Sequence, residues 1–159
     1  MKKLVLTATI GIALFAASET MAQYELMQFV QQRNILMFDM QSAYWPMLAI
    51  KKGESTDLSA AAEAAKIIGT SIDKVTTLFP VGTAKGEITG TRARPEIWSD
   101  AEGFHAAADA LKVAAAGAQE AAEAGDIEVF KARFDALAEA CTGCHTFRPS
   151  GGGKYRFPK

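Results

Sequence analysis

Apolar residues recur along this chain at alternating steps of four and three, the spacing that lines one face of a helix. In a first segment, expected from about Tyr24 to Lys52, the stripe is Leu26, Val30, Arg33, Met37, Met40, Tyr44 and Met47. Pro46 should kink it or break its hydrogen bonding locally, and Gly53 should stop it. A second segment follows the cap residues Ser55-Thr56-Asp57, carries Leu58, Ala61, Ala65, Ile68, Ile72, Val75 and Phe79, and ends at Pro80. Ser99-Asp100-Ala101-Glu102 reads as the capping box of a third, striped by Phe104, Ala108, Leu111, Ala115, Ala118 and Ala122. Gly125 closes that helix and Asp126 caps a fourth, with Ile127, Phe130, Phe134, Leu137, Cys141 and Cys144 on its face. So short a connection makes the last two helices antiparallel neighbours. Strand-type alternation is absent. The pattern predicts an all-α, antiparallel four-helix bundle with one long irregular connection, Pro80 to Ile97.

Two features interrupt the apolar stripes. The first is Cys141-Thr142-Gly143-Cys144-His145, which holds the only two cysteines and one of the two histidines. C-x-x-C-H is the spacing of a covalent haem site: two thiols bond the porphyrin edge and the adjacent imidazole ligates iron. A thiol redox pair would be expected in a βαβ setting, and a zinc site would need ligands this chain lacks. One covalently attached haem c per chain is therefore expected near the C-terminal end of helix four. Cys141 and Cys144 would hold it, and His145 would be the proximal iron ligand.

The second interruption is Arg33, a charge where a leucine would fit. A charge facing a bundle core needs an anion, and a guanidinium suits a haem propionate. Met37, one turn further on the same face, then lies toward the iron and is the candidate distal ligand. His105, the other histidine, falls off the stripe of helix three and is expected at the rim. Trp98 is expected to pack against haem or against the base of the long connection. Arg92 and Arg94 in that connection could reach a propionate or lie in solvent.

The N-terminus carries Lys2 and Lys3, an apolar run from Leu4 to Ala17, and small residues at Thr20-Met21-Ala22. This is the form of a secretory signal, and the run falls short of the roughly 20 residues of a membrane span. Residues 1–22 are expected to be a cleaved signal peptide and 23–159 the mature bundle, exported to the periplasm without a membrane anchor. Its removal takes the formal charge from −1 to −2, which gives no support to nucleic-acid binding. Export normally favours disulfides; here the two thiols go to haem.

Taken together these residues resemble the cytochrome c-prime family, the class II cytochromes c. The resemblance rests on Arg33-Asn34-Ile35-Leu36-Met37, Lys52-Gly53-Glu54, Leu78-Phe79-Pro80, Gly90-Thr91-Arg92-Ala93-Arg94-Pro95-Glu96-Ile97-Trp98, Phe104, Ala107-Ala108 and Cys141–His145. It implies a left-handed four-helix bundle with haem inside near one end. It also implies that the residue four after the helix-one arginine, Met37 here, approaches the distal iron face. In high-spin members that residue is a bulky non-ligand and iron is five-coordinate; in the low-spin branch it is a methionine that binds iron. The expected function is that of a periplasmic electron carrier with His145/Met37 ligation, passing electrons to redox partner proteins and performing no substrate chemistry. The alternative is a protein that binds nitric oxide or carbon monoxide. The resemblance also suggests a homodimer through helices one and two, for which Phe29 and Ile50 offer a second face. Pro149 stands where the family has a basic residue, Arg148 is one place early, and a glycine-rich basic tail follows. That tail reads either as a solvated end or as a docking patch for an acidic partner.

Overall fold

The computed structural model describes residues 4–145 and 152–158, with side chains from Met21 onward. Four long helices and one single turn make up the described elements: α1 (Leu4–Lys51), α2 (Leu58–Thr76), α3 (Glu96–Ser99), α4 (Ala101–Glu123) and α5 (Ile127–Thr142). The bundle closes in the order α1–α2–α4–α5, and the α1–α5 seam is the most sparsely packed.

The predicted stripes are the buried faces. Ala61, Ala65, Ile68, Ile72 and Val75 of α2 meet Ala108, Leu111, Ala115, Ala118 and Ala122 of α4. Alanine lining lets these helices approach closely: a Cβ built on Gly69 would sit 3.7 Å from that of Ala115. Phe130, Phe134 and Leu137 bring α5 into the same core, beside Met47 and Ile50 of α1.

The caps follow the sequence with one change. Gly53 adopts φ +77°, and the Gly53 and Glu54 amides donate to the Ile50 and Ala49 carbonyls, closing α1 in a Schellman turn. Gly125 repeats the device between α4 and α5. Asp57 caps α2 through the Ala60 amide, and Asp126 caps α5 through the Glu128 and Val129 amides. The N-cap of α4, however, is Asp100, which accepts from the Gly103 amide. The capping box expected on Ser99 does not form, because Ser99 belongs to the preceding turn α3.

Three other expectations, on the start of α1, on Ile50 and on Cys144, are corrected. α1 begins at Leu4 rather than near Tyr24; no glycine or proline separates the leader from the bundle helix, so nothing local stops helix propagation. At Pro46 the expected local break in hydrogen bonding holds, since proline has no N–H, and α1 continues through this exposed position. Ile50 is 1 % exposed and belongs to the core, so it offers no second face for a dimer. The exposed large apolar residues of α1 are instead Met21 and Tyr24 near its start and Ile35, Phe38 and Trp45 further along. Helix four ends at Thr142, which leaves Cys144 in the turn beyond it. Among the described residues no helix is long and apolar enough to cross a membrane.

Candidate functional site

The sparse α1–α5 seam opens into a cavity of about 470 Å³, within the range of small-molecule and cofactor sites. Its walls bring together Arg33, Met37, Cys141, Cys144 and His145 from opposite ends of the sequence. Ile68, Ile72, Val75, Phe79 and Leu111 supply apolar surface, and Met40 and Tyr44 extend the α1 side.

Cys141 sits in the last turn of α5 and Cys144 two residues past its end, both partly buried. Burial pushes the Cys141 thiol up to about 12, with a smaller contribution from Cys144. Burial alone pushes Cys144 up to about 11. Thiols held neutral this way are poor redox nucleophiles. No group of three or more His, Cys, Asp or Glu side chains among the described residues could hold a bare metal ion. The thiol-redox and zinc alternatives therefore lack structural support.

Arg33 is buried, 5 % exposed. Its Nη1 donates to Thr83 Oγ1 at 3.0 Å, and its Nη2 donates to the Thr83 carbonyl and to Thr91 Oγ1, both at 3.3 Å. Its guanidinium stacks 4.3 Å from the centre of the Phe79 ring. Desolvation lowers its pKa to about 10, so it stays charged at neutral pH while lining the cavity. Its recorded hydrogen-bond partners are hydroxyls and a carbonyl rather than a carboxylate. Thr83, fully buried, is thus a site residue that the helical stripes did not reveal: a lone threonine in a long loop carries no periodic signal.

A second guanidinium faces the same space. Arg92 lines the cavity, and its Nη1 is buried without a hydrogen-bond partner. A buried donor left unpaired is costly, and a carboxylate from a bound group would satisfy it. Thiols at one edge, guanidinium groups at another, an imidazole and an apolar interior form a donor set that fits haem c with its two propionates.

The remaining candidates lie elsewhere. Trp98 does not line the cavity; its Nε1 donates to the Phe79 carbonyl at 3.0 Å and its ring meets Phe79 edge-on. It braces the loop base. Arg94 pairs with Glu96 through two hydrogen bonds, 2.6 and 3.0 Å. His105 is exposed and outside the cavity wall. Arg148 lies outside the described residues. Tyr155 and Arg156 of the basic tail do line the cavity, which neither reading of that tail anticipated.

A family model described as cytochrome C′ matches residues 28–148. The chain belongs to the cytochrome c′ family. A cytochrome c′ of Rubrivivax gelatinosus is 40 % identical over 89 residues, covering 56 % of this chain and 67 % of that one. Cytochrome c-555 of Bradyrhizobium diazoefficiens is 30 % identical over 138 residues, 85 % of this chain and 90 % of the relative. Among solved structures, a Rubrivivax gelatinosus cytochrome c′ superposes with a TM-score of 0.65 at 32 % identity, over 73 % of this chain and 90 % of its own. A ferrous variant of the Alcaligenes xylosoxidans cytochrome c prime with bound NO reaches 0.70 at 27 % identity, over 84 % of this chain and 97 % of its own. The carbon monoxide-bound form of another variant of that protein scores 0.69 at 27 % identity, over 83 % and 96 %. The cofactor of this family is covalently attached haem c, one per chain.

Proposed function

We propose that Cys141 and Cys144 anchor the haem, that His145 is its proximal iron ligand, and that the opposite face binds nitric oxide or carbon monoxide. The observation that carries this reading is the cavity itself, which has the attachment residues in one wall and Met37 with Met40 in another. The nitric oxide and carbon monoxide complexes of the Alcaligenes relatives support a diatomic ligand over a permanently closed iron. Arg33 and Arg92 serve the propionates, which draws the buried Arg33 guanidinium and the buried Nη1 of Arg92 into charge-assisted bonds. The haem supplies the iron that takes up the gas. The chain's own residues anchor, orient and shield it, and they transform no substrate.

Met37 supports a second reading. Its thioether lines the cavity one turn beyond Arg33, where a sixth ligand would close the iron and favour electron transfer to periplasmic redox proteins. Optical spectra of the oxidised and reduced holoprotein separate the two. The gas reading expects ready spectral shifts with carbon monoxide and nitric oxide. A spectrum indifferent to both gases, with a methionine–iron charge-transfer band lost in Met37→Leu, would replace it with the electron carrier.

The wider setting belongs to the same proposal. Residues 1–22 direct export and are removed, so the bundle acts in the periplasm. Ile35, Phe38 and Trp45, each more than half exposed on one side of α1, form the face on which two copies pair. Sedimentation of the Phe38→Glu variant against the parent tests that pairing, with a parent that sediments as a monomer counting against it.

A further inference from the structure

The family match ends at residue 148, yet residues 152–158 are docked against the site. They run beside residues 92–94 as an isolated antiparallel pairing, Ala93 opposite Arg156. The Phe157 amide donates to the Arg92 carbonyl at 2.8 Å, and the Arg94 amide donates to the Tyr155 carbonyl at 3.1 Å. The Tyr155 amide donates to the Cys144 carbonyl at 3.3 Å. Tyr155 is 3 % exposed; its ring packs on Phe104 and its hydroxyl donates to Asp100 Oδ2 at 2.9 Å. Phe157 lies beneath Lys85 and Arg94, with centroid distances of 5.0 and 4.8 Å.

Two glycines make room for this arrangement. A Cβ on Gly153 would collide with the Cys144 carbonyl oxygen and come within 2.6 Å of His145 Cα. A Cβ on Gly103 would come within 2.5 Å of Asp100 Oδ2 and 2.8 Å of the Tyr155 hydroxyl. Neither displacement is cheap, because backbone is involved at the first and a paired carboxylate at the second.

We infer that residues 152–158 are a strap that positions the haem-attachment turn, with Tyr155 as the positioning residue acting on His145 through the Cys144 carbonyl. The reason is geometric. The Cys144 carbonyl and the His145 nitrogen share one planar peptide, so a bond that holds that carbonyl also fixes the backbone from which the imidazole projects. Tyr155 in turn is held by Arg94, Asp100 and Phe104, which belong to the loop and the start of α4. The strap thus ties the end of α5 to the opposite wall, where helix hydrogen bonding has already ended. This inference rests on His145 as the proximal ligand, and the test is made on pigmented holoprotein, so a chain without covalent haem would defeat the earlier reading before this one is reached.

Ferrous holoprotein is compared with its Tyr155→Phe, Tyr155→Ala and Gly153→Ala variants by resonance Raman spectroscopy and amide hydrogen exchange. In the parent, the Arg94, Tyr155 and Phe157 amides should be protected. Gly153→Ala and Tyr155→Ala should lose that protection and shift or broaden the iron–histidine stretching band. Tyr155→Phe keeps the ring and should shift it less. Unprotected Tyr155 and Phe157 amides in the parent would overturn the proposal without any variant having to fold. Loss of protection with an unmoved iron–histidine band would also overturn it, since a merely structural tail would behave that way.

Discussion

The two ends of this bundle are made by the same helices and solve opposite problems. At one end Met47, Ile50, Ala61, Ala65, Ala118, Ala122 and Phe130 fill the interior, most of them no more than 1 % exposed. At the other, Arg33, Arg92, Thr91 and the partly buried thiols line the cavity, and irregular chain closes what helices leave open. The first end is held by apolar burial and by the caps and turns at Gly53, Asp57, Gly125 and Asp126. The second holds polar groups away from water: Arg33, its pKa drawn down by desolvation, and Arg92, whose buried Nη1 has no hydrogen-bond partner.

The contrast can be broken most completely at the open end. Replacing Cys141 and Cys144 together by serine should abolish covalent pigment, read as loss of haem staining on a denaturing gel, while helix content by circular dichroism persists. At the closed end Phe130→Ala should leave attachment intact but cost about 3–5 kcal/mol, the usual penalty for emptying a fully buried aromatic site. Denaturant unfolding of the holoprotein measures it, and a cost below ~1 kcal/mol would show that this end is not the stabilising one.

Arg33→Leu should have an intermediate effect. It strips the Thr83 hydroxyl and carbonyl of their guanidinium donors, at about 1–3 kcal/mol, and should alter the haem spectrum, which Phe130→Ala should not. Gly69→Ala is the mild case in the opposite direction. Its methyl would meet only ordinary contact with Ala115, so the helix should gain about 0.5–1 kcal/mol from reduced backbone entropy.

The smallest effect should come with pH. Hydrogen bonds from Lys154 first, and from Tyr155 next, hold the Asp100 carboxyl below its ordinary value of 3.8. A depressed carboxylate contributes stability that is complete above its unfolded pKa and is lost as pH falls toward the folded one. Protection of the strap amides should therefore decline only below the ordinary carboxylate range, and Asp100→Asn should lack that step. A decline centred near neutral pH would exclude Asp100 as its source.

Much of this was legible from residue order because helices translate sequence period directly into a face. The stripes Phe104–Ala122 and Ile127–Leu137 needed no tertiary information, nor did the turns at Gly53 and Gly125. That Cys141, Cys144 and His145 share one wall of the cavity was equally legible, since all three lie within five residues. Met37 and Arg33 were found because a charge on an apolar stripe is anomalous. Thr83, the unpaired Arg92 nitrogen and Tyr155 carried no such mark. Thr83 and Tyr155 meet partners 50 or more positions away, Arg33 and Asp100.

The boundary falls at the ends of the helices. Within them, local hydrogen bonding and a 3.6-residue period oblige the chain to show which side faces inward, and C-x-x-C-H announces its chemistry by spacing. Beyond them, the loop before α3 and the tail after Cys144 have no period. Which of their donors and acceptors meet is decided only when the bundle brings residues 92–100, 144–145 and 153–157 into one place. The basic tail illustrates the point: its composition suggested solvent or a partner, and packing sets residues 153–155 against Cys144 and His145.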